Sequence, residues 1–261
     1  MNFGKQALCG IVAAAMIGVA FAQPKPVADE KSSAAKPGET PKSTAVPVPA
    51  PAPGASTPGA PGAAKLNYLP PGKGTPSRRE GGATRGGDLR ELALSVVAPE
   101  HVGWSTREHP DIYWFVSRPV TTPVILTVTQ VGGAALDPLF EGKLAAPASA
   151  GIHAISLKDL GVTLAGNFDY EWSISLVGDP QSRSRDVMAS GRVRWVPLAA
   201  DARAALAGLP VDQQAEKLAS SGYWYDVVDL LRRRAAGSAG EISLYESAGL
   251  TRIAKFLRDG V

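Results

Sequence analysis

The chain carries three histidines, His101, His109 and His153, and a nucleophile relay would need one of them held by a carboxylate beside a serine. None belongs to a Gly-x-Ser-x-Gly elbow, and His101 and His109, eight positions apart, form no His-Glu-x-x-His zinc pattern. They read as loop and surface histidines. Asp179, Arg183, Arg185 and Asp186 crowd one short stretch, where paired carboxylates could serve acid/base or glycosidase work. The arginines between them keep both acids ionised, which suits a salt-bridged hairpin turn better than a proton donor. No catalytic residue, metal ligand or cofactor is therefore expected.

Two stretches are better suited to binding. Gly81, Gly82, Gly86 and Gly87 let backbone N–H groups converge, and Arg78, Arg79 and Arg85 could fork onto a carboxylate or phosphate. The same arm could instead lie along a sheet, its glycines turning the chain. It is no Walker loop: Gly72-Lys73-Gly74-Thr75 lacks the glycine six residues before the lysine. Tyr223, Trp224 and Tyr225 open a helix, where at most two of the three can face inward, so a spare aromatic could meet a protein or glycan, or the three could pack between the sandwich and the helices. Arg232, Arg233 and Arg234 close that helix and complement its dipole, which is a poor basis for nucleic-acid binding.

The elements that must position these residues occupy only part of the 261-residue chain. Met1 to Ala22 has the form of a secretory signal: Lys5, then an uncharged apolar run over Ala7–Ala20, then Ala20-Phe21-Ala22 before a cleavage point. Cys9 would leave with it, so the mature chain would hold no cysteine and no transmembrane segment. Of 22 prolines, 13 lie between residues 24 and 76, and no aromatic residue occurs between Phe21 and Tyr68. Residues 23–67 thus read as a disordered Pro/Ala-rich linker, and residues 68–87 as the Gly/Arg-rich arm. A net charge of +3 gives no case for nucleic acid as a partner.

From residue 88 to 197 the pattern is that of strands. Phe168 to Leu176 alternates apolar and polar residues, and less regular runs cover Leu92–Val97, Ile112–Ser117, Val124–Val131, Leu139–Leu144, Gly151–Leu157 and Val187–Val196. Without helices between them, these predict an antiparallel, immunoglobulin-like β-sandwich within a β-rich α+β chain. Arg192 and Arg194 alternate with Val193 and Trp195 and belong to a wet face, where they could extend a basic surface. Residues 198–261 are predicted helical. Asp212–Ser220 stops at Gly222, Trp224, Val227, Val228 and Leu231 share one face, Ser238 and Glu241 make a capping box, and the last segment breaks at Gly249. A helical hairpin docked on the sandwich follows.

Pro70-Pro71, Gly74-Thr75-Pro76, Arg79, and Gly81-Gly82-Ala83-Thr84-Arg85-Gly86 form a signature. So do Tyr170-Glu171-Trp172, the Asp179 to Ser184 turn, Gly191 to Arg194, and Gly222-Tyr223-Trp224-Tyr225-Asp226. With the order of elements, these resemble the bacterial exported family called domain of unknown function 928, over about residues 68–260. Many of its members have a cysteine near the end of the Tyr-x-Trp strand where this chain has Gly178, so no cysteine role carries over. The resemblance implies an extent for the domain and no activity. The expectation is an exported, periplasmic or envelope-associated binding or adaptor protein that is not an enzyme. Its partner would be another envelope protein or an anionic envelope component. The alternatives are an envelope-polymer hydrolase or transferase using Asp179, Asp186 or Glu171 with a histidine, and a structural spacer.

Overall fold

The computed structural model describes residues 65–72, 76–82, 89, 91–133, 137–179 and 181–260. The segments expected to be a signal (1–22) and, for the most part, a linker (23–67) lie outside the described residues. Nine strands run first among those described: β1 (Glu80–Gly82), β2 (Ala93–Val96), β3 (Gly103–Ser105), β4 (Asp111–Val116), β5 (Val124–Gln130), β6 (Phe140–Leu144), β7 (Gly151–Ser156), β8 (Asp169–Leu176) and β9 (Val187–Trp195). Five helices follow: α1 (Ala200–Ala207), α2 (Val211–Ser220), α3 (Trp224–Ala235), α4 (Ala239–Ser247) and α5 (Thr251–Asp259).

The strands form two sheets, ordered β1-β2-β4-β7 and β3-β9-β8-β5-β6. All pairings are antiparallel except β3 with β9, where the chain, having left the first sheet after β2, joins the edge of the second running parallel to its last strand. Alternation explains the layering. In β8, Tyr170, Trp172 and Ile174 are buried, while Asp169, Glu171 and Ser173 keep partial access to solvent. Across the register, Val128, Leu126 and Val124 of β5 stand opposite Trp172, Ile174 and Leu176, so the buried residues of both strands share one face.

The sheets and the helices contribute to one apolar core. Leu94, Ile112, Phe115 and Trp172 of the strands belong to the same cluster as Trp224, Tyr225, Val228 and Tyr245 of the helices. Helix α3 enters it on the 3.6-residue period that buries Trp224, Val227, Val228 and Leu231 together. At the corner before it, Gly222 has φ +85°, and a β-carbon there would stand 2.8 Å from Pro71, so the turn and the crossing arm both require glycine. Ser238 caps α4 by accepting from the Glu241 N–H, and Gly249, also at positive φ, separates α4 from α5.

Three elements had no periodic signal. β1 and β3 are three residues each, too short for alternation, and the Ala-rich α1 buries no residue at all. The sequence expectation of purely antiparallel sheets is corrected by the β3–β9 pair.

Candidate functional site

The Gly-Tyr-Trp-Tyr-Asp stretch forms the seam between helices and strands. Trp224 donates from its indole nitrogen to the Val97 carbonyl at 2.9 Å, and Tyr68 of the arm meets its ring edge-on. Tyr225 accepts from the Trp172 indole at 2.8 Å and donates to the Arg192 carbonyl at 3.0 Å, so each of these buried polar groups is paired. Asp226 accepts from both the backbone N–H and the hydroxyl of Thr106, in the turn after β3. Burial pushes the Asp226 carboxyl up from its ordinary value, and the Thr106 hydrogen bonds and the Arg107 charge pull against that rise.

One turn further along α3, Asp229 accepts from Tyr113 at 2.9 Å, from Arg107 at 3.0 Å and from Arg233 at 2.6 Å. Burial works against its charge, yet the Arg233 hydrogen bond, the Arg107 charge and the Tyr113 hydroxyl hold it below the ordinary carboxylate range. Arg233 reaches on to Asp111 at 2.8 Å. Arg232 pairs with the fully buried Glu241, which also accepts from Tyr245 and from the Gly237 N–H, and Arg234 pairs with Asp212. The arginine triplet therefore ties α3 to β4, α4 and α2.

All three aromatics at the start of α3 are buried, in line with packing between the sandwich and the helices, although at most two were expected to face inward. The reason is position: Tyr223 is the residue before the helix, outside its angular spacing, and it packs edge-on against Trp104 of β3 at 5.7 Å. Tyr223 nonetheless borders open space. Together with Leu198, Ala202, Ala205, Leu206, Leu209, Lys217, Leu218 and Ser221 it lines a groove of about 390 Å³ between α1 and α2. Ala202, Ala205 and Leu206 stand at helical spacing along one side, none of them buried, and the Tyr223 hydroxyl has no hydrogen-bond partner among the described residues.

The arm's arginines part company. Arg78 and Arg79 are neighbours on an extended segment and so point to opposite sides; Arg78 is exposed, and Arg79 is half-buried with a hydrogen bond of 2.6 Å to the Ala248 carbonyl closing α4. Burial lowers the Arg79 pKa, against the opposing pull of Glu100 and Glu80. Its guanidinium satisfies a helix C-terminus, as basic groups there do. Arg85 lies outside the described residues. Tyr68 and Leu69 bond to Ser247 and Ala219, and the Arg78 carbonyl accepts from Ser190, so the described arm is laced to both helices and β9.

The acids proposed for the hydrolytic alternative have arginine partners: Asp186 with Arg183, Asp179 with Arg185, Glu171 with Arg192. Asp169 likewise neutralises Arg194, which leaves the wet face of β8 and β9 mixed in sign rather than basic. His153, Ser156 and Asp159 line a second groove of about 390 Å³ beside β7, but no hydrogen bond joins their side chains. His153 bonds the Ser149 carbonyl, Ser156 accepts from the Asp159 backbone, and three residues apart on a strand His153 and Ser156 face opposite ways. His109 bonds the Val162 carbonyl and lies 3.4 Å from Glu108. A β-carbon at Gly178 would fall 2.7 Å from the Arg185 carbonyl, so this turn closes more tightly than a cysteine there would allow.

The family described as Domain of Unknown Function (DUF928) matches residues 80–255. The chain belongs to this family. Its match takes in the β1 strand, both sheets, α1 to α4 and the first half of α5. A search of curated proteins found no match. Among solved structures, the chain is similar at 13% identity and a TM-score of 0.26 to Astrotactin-2, described as a conserved vertebrate-specific and perforin-like membrane protein involved in neuronal development. That likeness covers 64% of this chain and 35% of the other. Among the described residues no helix is long and apolar enough to cross a membrane.

Proposed function

We propose that the chain is an exported binding or adaptor protein of the cell envelope, without catalytic activity, released from its signal after Ala22. Its binding site is the groove between α1 and α2, and the occupant is an apolar segment of another envelope protein. One observation carries this reading: α1 turns Ala202, Ala205 and Leu206 toward a groove of about 390 Å³ while burying none of its residues. Helices normally bury an apolar face, whereas α1 leaves Ala202 and Ala205 exposed and packs only Leu206 partly against the core. Tyr223 at the end of the groove adds a ring and a hydroxyl without a partner, the amphipathic pairing that protein contacts favour. Lys217 on the rim adds a single positive charge. The strand orders β2-β4-β7 and β3-β9-β8-β5-β6 support an immunoglobulin-like sandwich as the scaffold.

Capture from envelope extract tests the groove. Wild-type protein is expected to retain a partner that Ala205→Asp, at an exposed residue lining the groove, loses and Arg78→Ala keeps. Equal capture by wild type and Ala205→Asp would rule the groove out as the binding site.

A further inference from the structure

The two sheets have four edge strands, and they differ in what covers them. β1 lies against β9, where Gly81 approaches the Met188 carbonyl, and the outer side of β3 packs on α3, where Gly103 approaches Trp224 and Tyr225. β7 is uncharged along its whole length and borders the groove lined by Trp114 and Pro147. β6 pairs with β5 on one side and has no strand partner on the other among the described residues.

An open edge is a template for another strand, and charged side chains on it decide which strands are admitted. The sequence of β6 is Phe140-Glu141-Gly142-Lys143-Leu144, with Glu141 and Lys143 exposed and without ion-pair partners among the described residues. Read in the opposite direction, the strand is its own complement. An antiparallel copy centred on Gly142 sets Glu141 opposite Lys143 twice and Phe140 opposite Leu144 twice. Centring on Glu141 or on Lys143 instead puts like charges face to face, and an odd shift sets wet against apolar faces. Phe140 and Leu144 are the partly buried residues of the strand and pack against the core, so their exposed remainder lies on the face where the second copy brings Leu144 and Phe140. The Phe140 ring lies across Gly142: a β-carbon there would be 2.6 Å from it, which keeps the centre of the edge flat.

From this pattern the geometry points to a homodimer in which β6 pairs antiparallel with β6 of a second copy, joining two five-stranded sheets into one. The partner is recognised by backbone hydrogen bonds and by two symmetric Glu141–Lys143 pairs, so the association weakens as salt rises.

Charge reversal tests it on the full chain by sedimentation equilibrium. The wild type is expected to dimerise, and Glu141→Lys or Lys143→Glu alone to weaken self-association by at least about tenfold, since each places two like-charge pairs across the edge. An equimolar mixture of the two variants, and the double variant E141K/K143E, are expected to recover wild-type association, which separates lost pairing from lost folding. Ala154→Lys on β7 leaves the dimer intact. The proposal is overturned by a wild type that stays monomeric at all concentrations, by association indifferent to the reversals, by a mixture no stronger than either variant alone, or by a dimer that Ala154→Lys abolishes.

Discussion

Helices α1 and α3 sit on the same side of the sequence, yet they stand at opposite extremes of packing. α3 buries Trp224, Tyr225, Val227, Val228, Asp229 and Leu231, with every polar group of its aromatics and acids on that face paired. α1 buries nothing and borders an apolar groove. The difference separates what the chain spends on holding itself together from what it leaves available. Tyrosine, tryptophan and arginine are frequent at protein contacts, but in α3 they are taken up by contacts within the fold, so residue type alone does not mark a free surface.

The contrast can be broken by substitution, beginning at the seam. Trp224→Ala removes a fully buried ring and its bond to Val97, and a loss of about 3–5 kcal/mol is expected in denaturant melts. An effect below about 1 kcal/mol would show that α3 is docked loosely. Tyr225→Phe keeps the ring but strands the Trp172 indole N–H and the Arg192 carbonyl, for an expected loss of about 1–3 kcal/mol by the same measurement.

A smaller effect, confined to acid, belongs to Asp229. Its folded-state pKa is depressed, so its contribution is present above the unfolded value near about 3.9 and is lost as pH falls through the folded value. Asp229→Asn should therefore flatten the fall in stability below about pH 4, measured by melting across pH 2 to 7. An unchanged acid limb would mean that Arg107, Arg233 and Tyr113 do not favour its charge. The smallest effect on stability is expected from Ala205→Asp in α1, below about 1 kcal/mol, because Ala205 is exposed and only helix propensity is lost. A loss comparable to that of Tyr225→Phe would make α1 part of the core and close the groove as a binding site.

Much of the architecture was legible because long strands and helices repeat their patterns. Phe168 to Leu176 alternated clearly enough to place β8 to within a residue, and Ser238, Glu241 and Gly249 marked the ends of α4. β1 and β3 escaped notice because three residues carry no period, and α1 because alanines are apolar without showing a face. The site was less legible for a different reason. Arg79 reads as an anion ligand until its partner, the carbonyl of Ala248 far along the chain, is known. The roles of Asp226, which ends a signature stretch, and of Asp229 have no local signal for the same reason, since Thr106, Arg107 and Tyr113 lie more than a hundred residues away. Local sequence reports helix faces and capping; it does not report which charges meet across the fold.

The central claim is that recognition takes place at α1, and site-specific photo-crosslinking in intact cells tests it most directly. With the crosslinker at Ala205, inside the groove, the account expects a discrete adduct with one envelope protein, and none with the crosslinker at Thr127 on the outer face of β5. No adduct from Ala205, or the same adduct from both positions, would contradict it.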